Sequence, residues 1–197
     1  MPNNLLKKIN NCLPKIKLLQ TFGTSETGIL KTRSMSSDSL FFKIVDENQD
    51  YKIVDNELYI KSNTSVGKYL NYQNTSFTDG GWFKTGDIVE TNDKGYIKII
   101  GRKNKVINVG GLKVMPNEVE NIINTIEEVI DSTVYGEVNN ITGNIVCANI
   151  VTKTQNKLAL KKKIKKICIS KLDKYKVPVK IKFSNLEINS RGKKKNN

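Results

Sequence analysis

Gly101-Arg102-Lys103-Asn104-Lys105-Val106-Ile107-Asn108-Val109-Gly110-Gly111-Leu112-Lys113-Val114-Met115-Pro116-Asn117-Glu118-Val119-Glu120 is the stretch from which the rest of the chain is read. It opens on Gly-Arg and a cluster of charge, passes through a short apolar alternation and a double glycine, and ends on a proline before acidic residues. Residues 106–109 and 112–114 flank Gly110-Gly111 as the arms of a two-residue β-hairpin. Pro116 suits a first helical turn, and Glu118 and Glu120 complement a helix N-terminus. Val119, Ile122, Ile123 and Ile126 follow as one apolar stripe at i, i+3, i+4 and i+7. Upstream the chain reads as strands and loops, and downstream as strands alternating with helices. A pattern switch on a Gly-Arg-Lys-Asn-Lys run predicts a joint between two domains.

Upstream of that joint, Leu5, Leu6, Ile9 and Leu13 recur at helical spacing and stop at Pro14, predicting a short amphipathic helix. Residues 16–21 read as a buried strand. They run into Phe22-Gly23-Thr24-Ser25-Glu26-Thr27-Gly28, where glycine admits close backbone approach, hydroxyls can donate to phosphate, and a carboxylate can hold Mg²⁺. Gly23 and Gly28 have the spacing of a phosphate-binding P-loop, but Ile29 and Leu30 stand where that motif needs Lys and Ser/Thr. Taken alone the segment is a turn at the end of a strand. Residues 31–40 read as a polar loop, and 41–45, 51–54 and 57–60 as short strands, with a turn at 46–50. Residues 69–77 fit no single element. In Asp79-Gly80-Gly81-Trp82-Phe83-Lys84-Thr85-Gly86-Asp87 the double glycine is a turn, and Trp82 and Phe83 should pack on the sheet. Asp87 follows a Thr-Gly turn at a strand start, where its carboxylate either accepts two ribose hydroxyls or caps the turn. A turn at 93–95 and a strand at 96–100 lead into the joint.

Downstream, residues 129–135 read as a strand interrupted by Asp131 and Ser132, and 145–151 as a cleaner one, with Asn139-Asn140 between them. Leu160, Ile164, Ile167, Cys168 and Leu172 mark a second helix. Its other face carries Lys161, Lys162, Lys163, Lys165 and Lys166, a solvated face or, as the alternative, an RNA surface. Val177-Pro178 turns the chain into a last strand at 180–184. The order from residue 105 is hairpin, helix, strand, strand, helix, strand, a small α+β domain. The tail at 188–197 has no apolar pattern and reads by itself as a frayed basic end.

The 197 residues carry 33 Lys+Arg against 19 Asp+Glu, a formal net charge of +14, and 38% hydrophobic residues. Lysine is spread over the whole chain beside abundant Asn and Ile. That is the bias of an AT-rich genome, so no specific nucleic-acid partner is expected, though the charge favours anionic ligands such as nucleotides. Cys12, Cys147 and Cys168 match no zinc spacing and fit buried thiols in a reducing compartment. Histidine is absent, which removes His triads, His metal sites and His general bases together. No apolar run nears the roughly 20 residues that span a bilayer, and the N-terminus lacks a signal-peptide core. The expectation is a cytoplasmic protein without a membrane span.

Four stretches in order resemble the AMP-forming adenylate-forming enzymes: acyl-CoA synthetases, peptide-synthetase adenylation domains and luciferase. Phe22-Gly23-Thr24-Ser25-Glu26 resembles that family's YGxTE motif, and Trp82–Asp87 its Y/W-x-x-TGD motif. Gly101–Glu120 resembles GRxDxxIKxxGxKVxPxEVE, and Leu186 with Gly192-Lys193 the terminal L-P-x-T-x-x-GK motif. The resemblance implies the C-terminal portion of the family's architecture. The expected fold is α+β: residues 1–101 are the end of a large, β-rich α/β domain, 102–104 a hinge, and 105–197 a small mobile α+β domain. The family's upstream phosphate loop and most of its acid pocket are not matched. A split gene, a truncated gene or a remnant is therefore expected, with a separate N-terminal half chain as one partner.

The resemblance also implies roles. Phe22 would stack on adenine beside Gly23, Ser25 would meet the α-phosphate, and Glu26 would hold Mg²⁺. Asp87 and Arg102 would bind ribose, Lys193 would bridge the substrate carboxylate and the phosphate ester, and Gly110-Gly111 would line a thiol channel. The implied activity is that of an acid–thiol ligase. ATP and a carboxylic acid, fatty or other, give acyl-AMP, and the acyl group passes to CoA or to carrier-protein pantetheine. Asn104 falls where the family has Asp or Lys, and Glu187, Asn189 and Arg191 depart from the terminal motif. The isolated chain is expected to be inactive and, through apolar surface left exposed on residues 1–101, prone to associate. The alternative is a non-catalytic nucleotide-binding or partner-dependent module.

Overall fold

A computed structural model describes residues 3–63 and 76–184. The chain divides into two compact units, Met1–Asn104 and Lys105–Asn197.

The first unit begins with helix α1 (Asn3–Cys12), which buries Leu6 completely. Residues 16–21 do not form the expected buried strand: Ile16 and Leu19 are exposed. The backbone amides of Leu18 and Gln20 bond to the hydroxyls of Ser37 and Ser34 rather than to a ladder. Apolar alternation alone cannot make a strand where no neighbouring strand pairs with it. Strands β1 (Phe22–Thr24) and β2 (Gly28–Leu30) then close a tight antiparallel hairpin. A six-stranded antiparallel sheet follows. Its strands are β3 (Thr32–Ser34), β4 (Phe42–Ile44), β5 (Gln49–Val54), β6 (Glu57–Ser62), β7 (Phe83–Thr91) and β8 (Ile97–Arg102), in the order β3-β4-β8-β7-β6-β5. The short β3 lies within the segment read as a polar loop. As a three-residue edge strand of Thr-Arg-Ser it carries no apolar alternation to announce it. Phe22, Leu30, Phe42, Ile44, Leu58, Ile60, Val89 and Ile97 pack into one apolar core, so the β1–β2 hairpin and β7 share it.

The second unit contains the expected Gly-Gly hairpin, β9 (Ile107–Val109) and β10 (Leu112–Val114). Gly110 and Gly111 have φ of 58° and 87°, the left-handed pair that a two-residue turn of this hand requires. Pro116 opens helix α2 (Pro116–Ile123), with Val119 and Ile123 fully buried. Glu118 sits in its first turn and pairs with Lys176. Glu120, expected to favour the helix N-terminus, instead accepts the backbone amide of Val134 at 2.8 Å. Strands β11 (Val129–Asn139), β12 (Gly143–Thr152) and β13 (Lys180–Ser184) form a sheet in that order, β12 and β13 being parallel. Their crossover is helix α3 (Lys157–Lys171), capped by the Asn156 side chain on Ala159 N and burying Leu160, Ile164 and Cys168. Burial lifts the Cys168 thiol to about 11, so it stays a protonated core residue. On the lysine face of α3, Lys163 pairs with Glu128 at 2.7 Å, while Lys162 and Lys166 stand exposed. The architecture is α+β and dominated by sheet. No helix among the described residues is long and apolar enough to cross a membrane.

Candidate functional site

The sequence Thr85-Gly86-Asp87 was expected to be a turn before a strand, and the structure corrects this. All three residues lie inside β7. Tyr59 of β6 pairs with Lys84, and Glu57 with Ile88, so Leu58 alone faces Thr85, Gly86 and Asp87. This is a β-bulge, a device that re-aims side chains. Each of the three residues has a physical task in it. Gly86 takes φ of 71°, which L side chains rarely adopt. The buried Thr85 hydroxyl donates to Leu58 O at 2.7 Å and accepts from Asp87 N at 3.1 Å, closing the bulge. Asp87 is held in the interior of the strand at 4% exposure.

Asp87 and Arg102 are partners across β7 and β8. Arg102 Nε meets Asp87 Oδ1 at 2.9 Å, and Nη1 donates to Thr85 O at 2.7 Å. The guanidinium therefore lies over Gly86, whose absent Cβ would be 3.8 Å from Nη1. Burial raises the Asp87 carboxyl above its ordinary value of 3.8; Arg102 pulls it back in part, and Glu57 adds to the rise. A carboxylate kept in place although its surroundings disfavour its charge is a mark of functional sites.

In the β1–β2 hairpin, Ser25 is exposed and Glu26 half-buried at the turn. Thr24 and Thr27 fasten that turn from within: their hydroxyls are 2.9 Å apart, and Thr27 N donates to Thr24 Oγ1 at 3.1 Å. Gly23 is required by close approach, since a Cβ there would stand 2.8 Å from Gly28 O. Phe22 is 7% exposed, and its ring stacks on Phe42 with centroids 6.1 Å apart. It anchors the hairpin in the core and leaves little ring surface for a ligand. Gln49 Nε2 reaches Thr27 O at 3.4 Å, tying β5 to the same turn.

Gly110 and Gly111 belong to the second unit. A Cβ on either would meet nothing within 4 Å, so their requirement is backbone conformation beside open space. Gly110 N donates to Thr142 O at 2.8 Å, and Asn144 Nδ2 to Asn108 O at 3.2 Å, fixing this hairpin against the β11–β12 turn. Lys193, with Leu186 and Gly192, lies outside the described residues. The structure thus joins Asp87 to Arg102 and groups Phe22, Gly23, Ser25 and Glu26 on one hairpin. Sequence reading assigned no role to Thr85, although its motif contained it. It missed Glu57, a buried carboxylate of β6 bonded to Lys103 Nζ at 2.6 Å, for which no sequence signal existed.

Residues 118–193 match the family described as the AMP-binding enzyme C-terminal domain. The long-chain-fatty-acid–CoA ligase FadD13 of Mycobacterium tuberculosis is 32% identical over 165 residues, 81% of this chain and 32% of the relative. The 2-succinylbenzoate–CoA ligase of Enterococcus faecalis is 31% identical over 194 residues, 89% of this chain and 39% of the relative. The chain therefore spans between 32% and 39% of the length of these two relatives. Among solved structures, the o-succinylbenzoate CoA synthetase of Bacillus subtilis with its acyl-adenylate intermediate superposes with a TM-score of 0.77 at 21% identity, covering 98% of this chain and 42% of that one.

Proposed function

We propose, for a chain that resembles the C-terminal portion of the AMP-forming adenylate-forming enzymes, that it serves the ATP-dependent activation of a carboxylic acid and its transfer to a thiol. One observation carries this reading: a buried carboxylate, Asp87, is displayed on a glycine bulge and clamped by Arg102. That pair suits a ribose diol, the carboxylate accepting from the hydroxyls and the guanidinium adding charge-assisted donors. The β1–β2 hairpin supports it, since Ser25 is exposed and offers a hydroxyl and Glu26 offers a half-buried carboxylate, groups suited to phosphate and its metal ion. No group of three or more His, Cys, Asp or Glu among the described residues could hold a metal ion by itself. One carboxylate does fit Mg²⁺ that arrives on the nucleotide and keeps its waters. When bound there, the ion would neutralise phosphate charge, with Glu26 as its protein ligand.

Residues 1–101 supply the nucleotide-binding side, 102–104 the hinge, and 105–197 the mobile domain. The acid's carboxylate attacks the α-phosphate and pyrophosphate leaves. Lys193 stabilises the developing charge with donors on a flexible stem. The second unit then turns, and Gly110-Gly111 borders the passage for the thiol of CoA or carrier-bound pantetheine. The acid is a fatty or other acyl acid. Because the chain matches no phosphate loop, the 197 residues alone are inactive in ATP–pyrophosphate exchange and need a chain that supplies the loop. The test is calorimetric titration of the full chain with AMP and with a sulfamoyl-adenosine mimic of acyl-AMP. Binding weakened at least about tenfold in Asp87→Asn is expected; equal binding by wild type and variant refutes the site.

A further inference from the structure

Arg102 and Lys103 are consecutive cations at the end of β8, and each is bonded to a different buried carboxylate. Arg102 reaches Asp87 on the adjacent β7 at 2.9 Å, and Lys103 reaches past β7 to Glu57 on β6 at 2.6 Å. The cations' side chains are 54% and 62% exposed, whereas Glu57, like Asp87, is 4% exposed. Both carboxylates lie on interior strands of the sheet, whereas Arg102 ends β8 and Lys103 begins the segment that leaves it.

Glu57 is itself held rigidly. It follows Asp55 and Asn56, both at positive φ, pairs with Ile88, and is preceded by Asn56 O accepting Val89 N at 2.7 Å. A buried carboxylate is costly without a partner, and Lys103 is that partner. Lys103 also opens the 3₁₀ turn Lys103–Lys105, within which the chain passes from the first compact unit to the second, between Asn104 and Lys105.

We propose that Glu57 is a positioning residue: its ion pair with Lys103 anchors the chain to the first unit's sheet through residue 103 and confines any swivel to Asn104–Lys105. This rests on the reading of residues 102–104 as a hinge and deepens it. Asn104 brings no charge to the pivot, so the charged anchor is one residue earlier. The arrangement also protects the ribose contact. If the chain end loosened at Lys103, the play would reach Arg102, and reorientation of the second unit would pull at the nucleotide clamp. A short bond with one partner buried suits an anchor better than an exposed pair, because desolvation strengthens it and one end cannot move.

The test is hydrogen–deuterium exchange on the full 197-residue chain, comparing wild type with Glu57→Gln, Lys103→Met and Lys103→Arg. Loss of a charge-assisted bond should speed exchange at residues 102–105 by about tenfold in Glu57→Gln and Lys103→Met. Lys103→Arg should stay near wild type, and the amides of β6 and β7 should be unchanged in Glu57→Gln, which leaves no buried charge without a partner. Unaltered exchange at 102–105 in Glu57→Gln overturns the proposal, as does a rise spread evenly over the first unit. AMP titration of the same proteins separates the two readings. A wild-type chain that binds no AMP but responds as stated removes the nucleotide function and leaves the anchor. Intact AMP binding with unaltered exchange removes the anchor alone.

Discussion

At the scale of single residues, Asp87 is the position where stability and function pull apart. Its carboxyl is raised above 3.8, chiefly by burial, so the folded state holds the proton more tightly than the unfolded chain does. The stabilisation this gives is present at low pH and is lost as pH rises through the folded value. Asp87→Asn removes that loss. Its urea midpoint should match wild type below about pH 3.8 and should equal or exceed it near neutrality. AMP affinity should fall at least about tenfold, the worth of a hydrogen bond to a charged group. Urea melts across this range with parallel calorimetry check both halves; a variant less stable at neutrality would mean that Arg102 outweighs burial. Thr85 has no such conflict. Thr85→Val leaves Leu58 O and Asp87 N without the hydroxyl each now bonds, and should cost about 2–3 kcal/mol, whereas Thr85→Ser should cost under about 1 kcal/mol.

At the scale of elements, the two hairpins use glycine for different reasons, and substitution distinguishes them. Gly110 needs a left-handed backbone next to open space. Gly110→Asn should therefore be nearly neutral, and Gly110→Val should destabilise the second unit by about 1–2 kcal/mol or more. Gly23 needs absent atoms: any Cβ collides with Gly28 O and Ile29 Cα, so Gly23→Ala and Gly23→Asn should both open the hairpin. Thermal melts of the four variants supply the check, and a Gly23→Asn protein as stable as wild type would contradict the argument. The misread strand at 16–21 belongs to this scale too. Its apolar residues resemble those of a buried strand, but its backbone bonds go to Ser34 and Ser37, and burial is decided by what lies opposite. The edge strand β3 fails in the other direction: it has a partner in β4 without an apolar signature.

At the scale of the whole molecule, each unit has its own apolar core. Residues 105–197 expressed alone should melt cooperatively, as judged by circular dichroism; a broad, non-cooperative melt would show dependence on the first unit. Leu13, Ile16 and Leu19 are exposed on the stretch between α1 and the first hairpin, and such surface promotes association. The full chain should self-associate at high concentration, and Ile16→Lys with Leu19→Lys should reduce this. Light scattering reads both, and a wild-type monomer at all concentrations would count against it.

What the sequence determined by itself is local. A Gly-Gly turn, a proline at a helix start and apolar stripes at 3.6-residue spacing made the second unit's hairpin and helices legible, because those signals lie within one or two turns of chain. The Gly-Arg stretch likewise drew attention to Arg102, and the TGD motif to Asp87. Tertiary structure alone decided that Asp87 is buried on a bulge, that Thr85 closes it, and that Glu57 meets Lys103. Those contacts join residues 17 positions apart for Arg102 and Thr85, and 46 apart for Lys103 and Glu57. They depend on strand register and on one irregularity in it, and neither is encoded in the residues of a single segment.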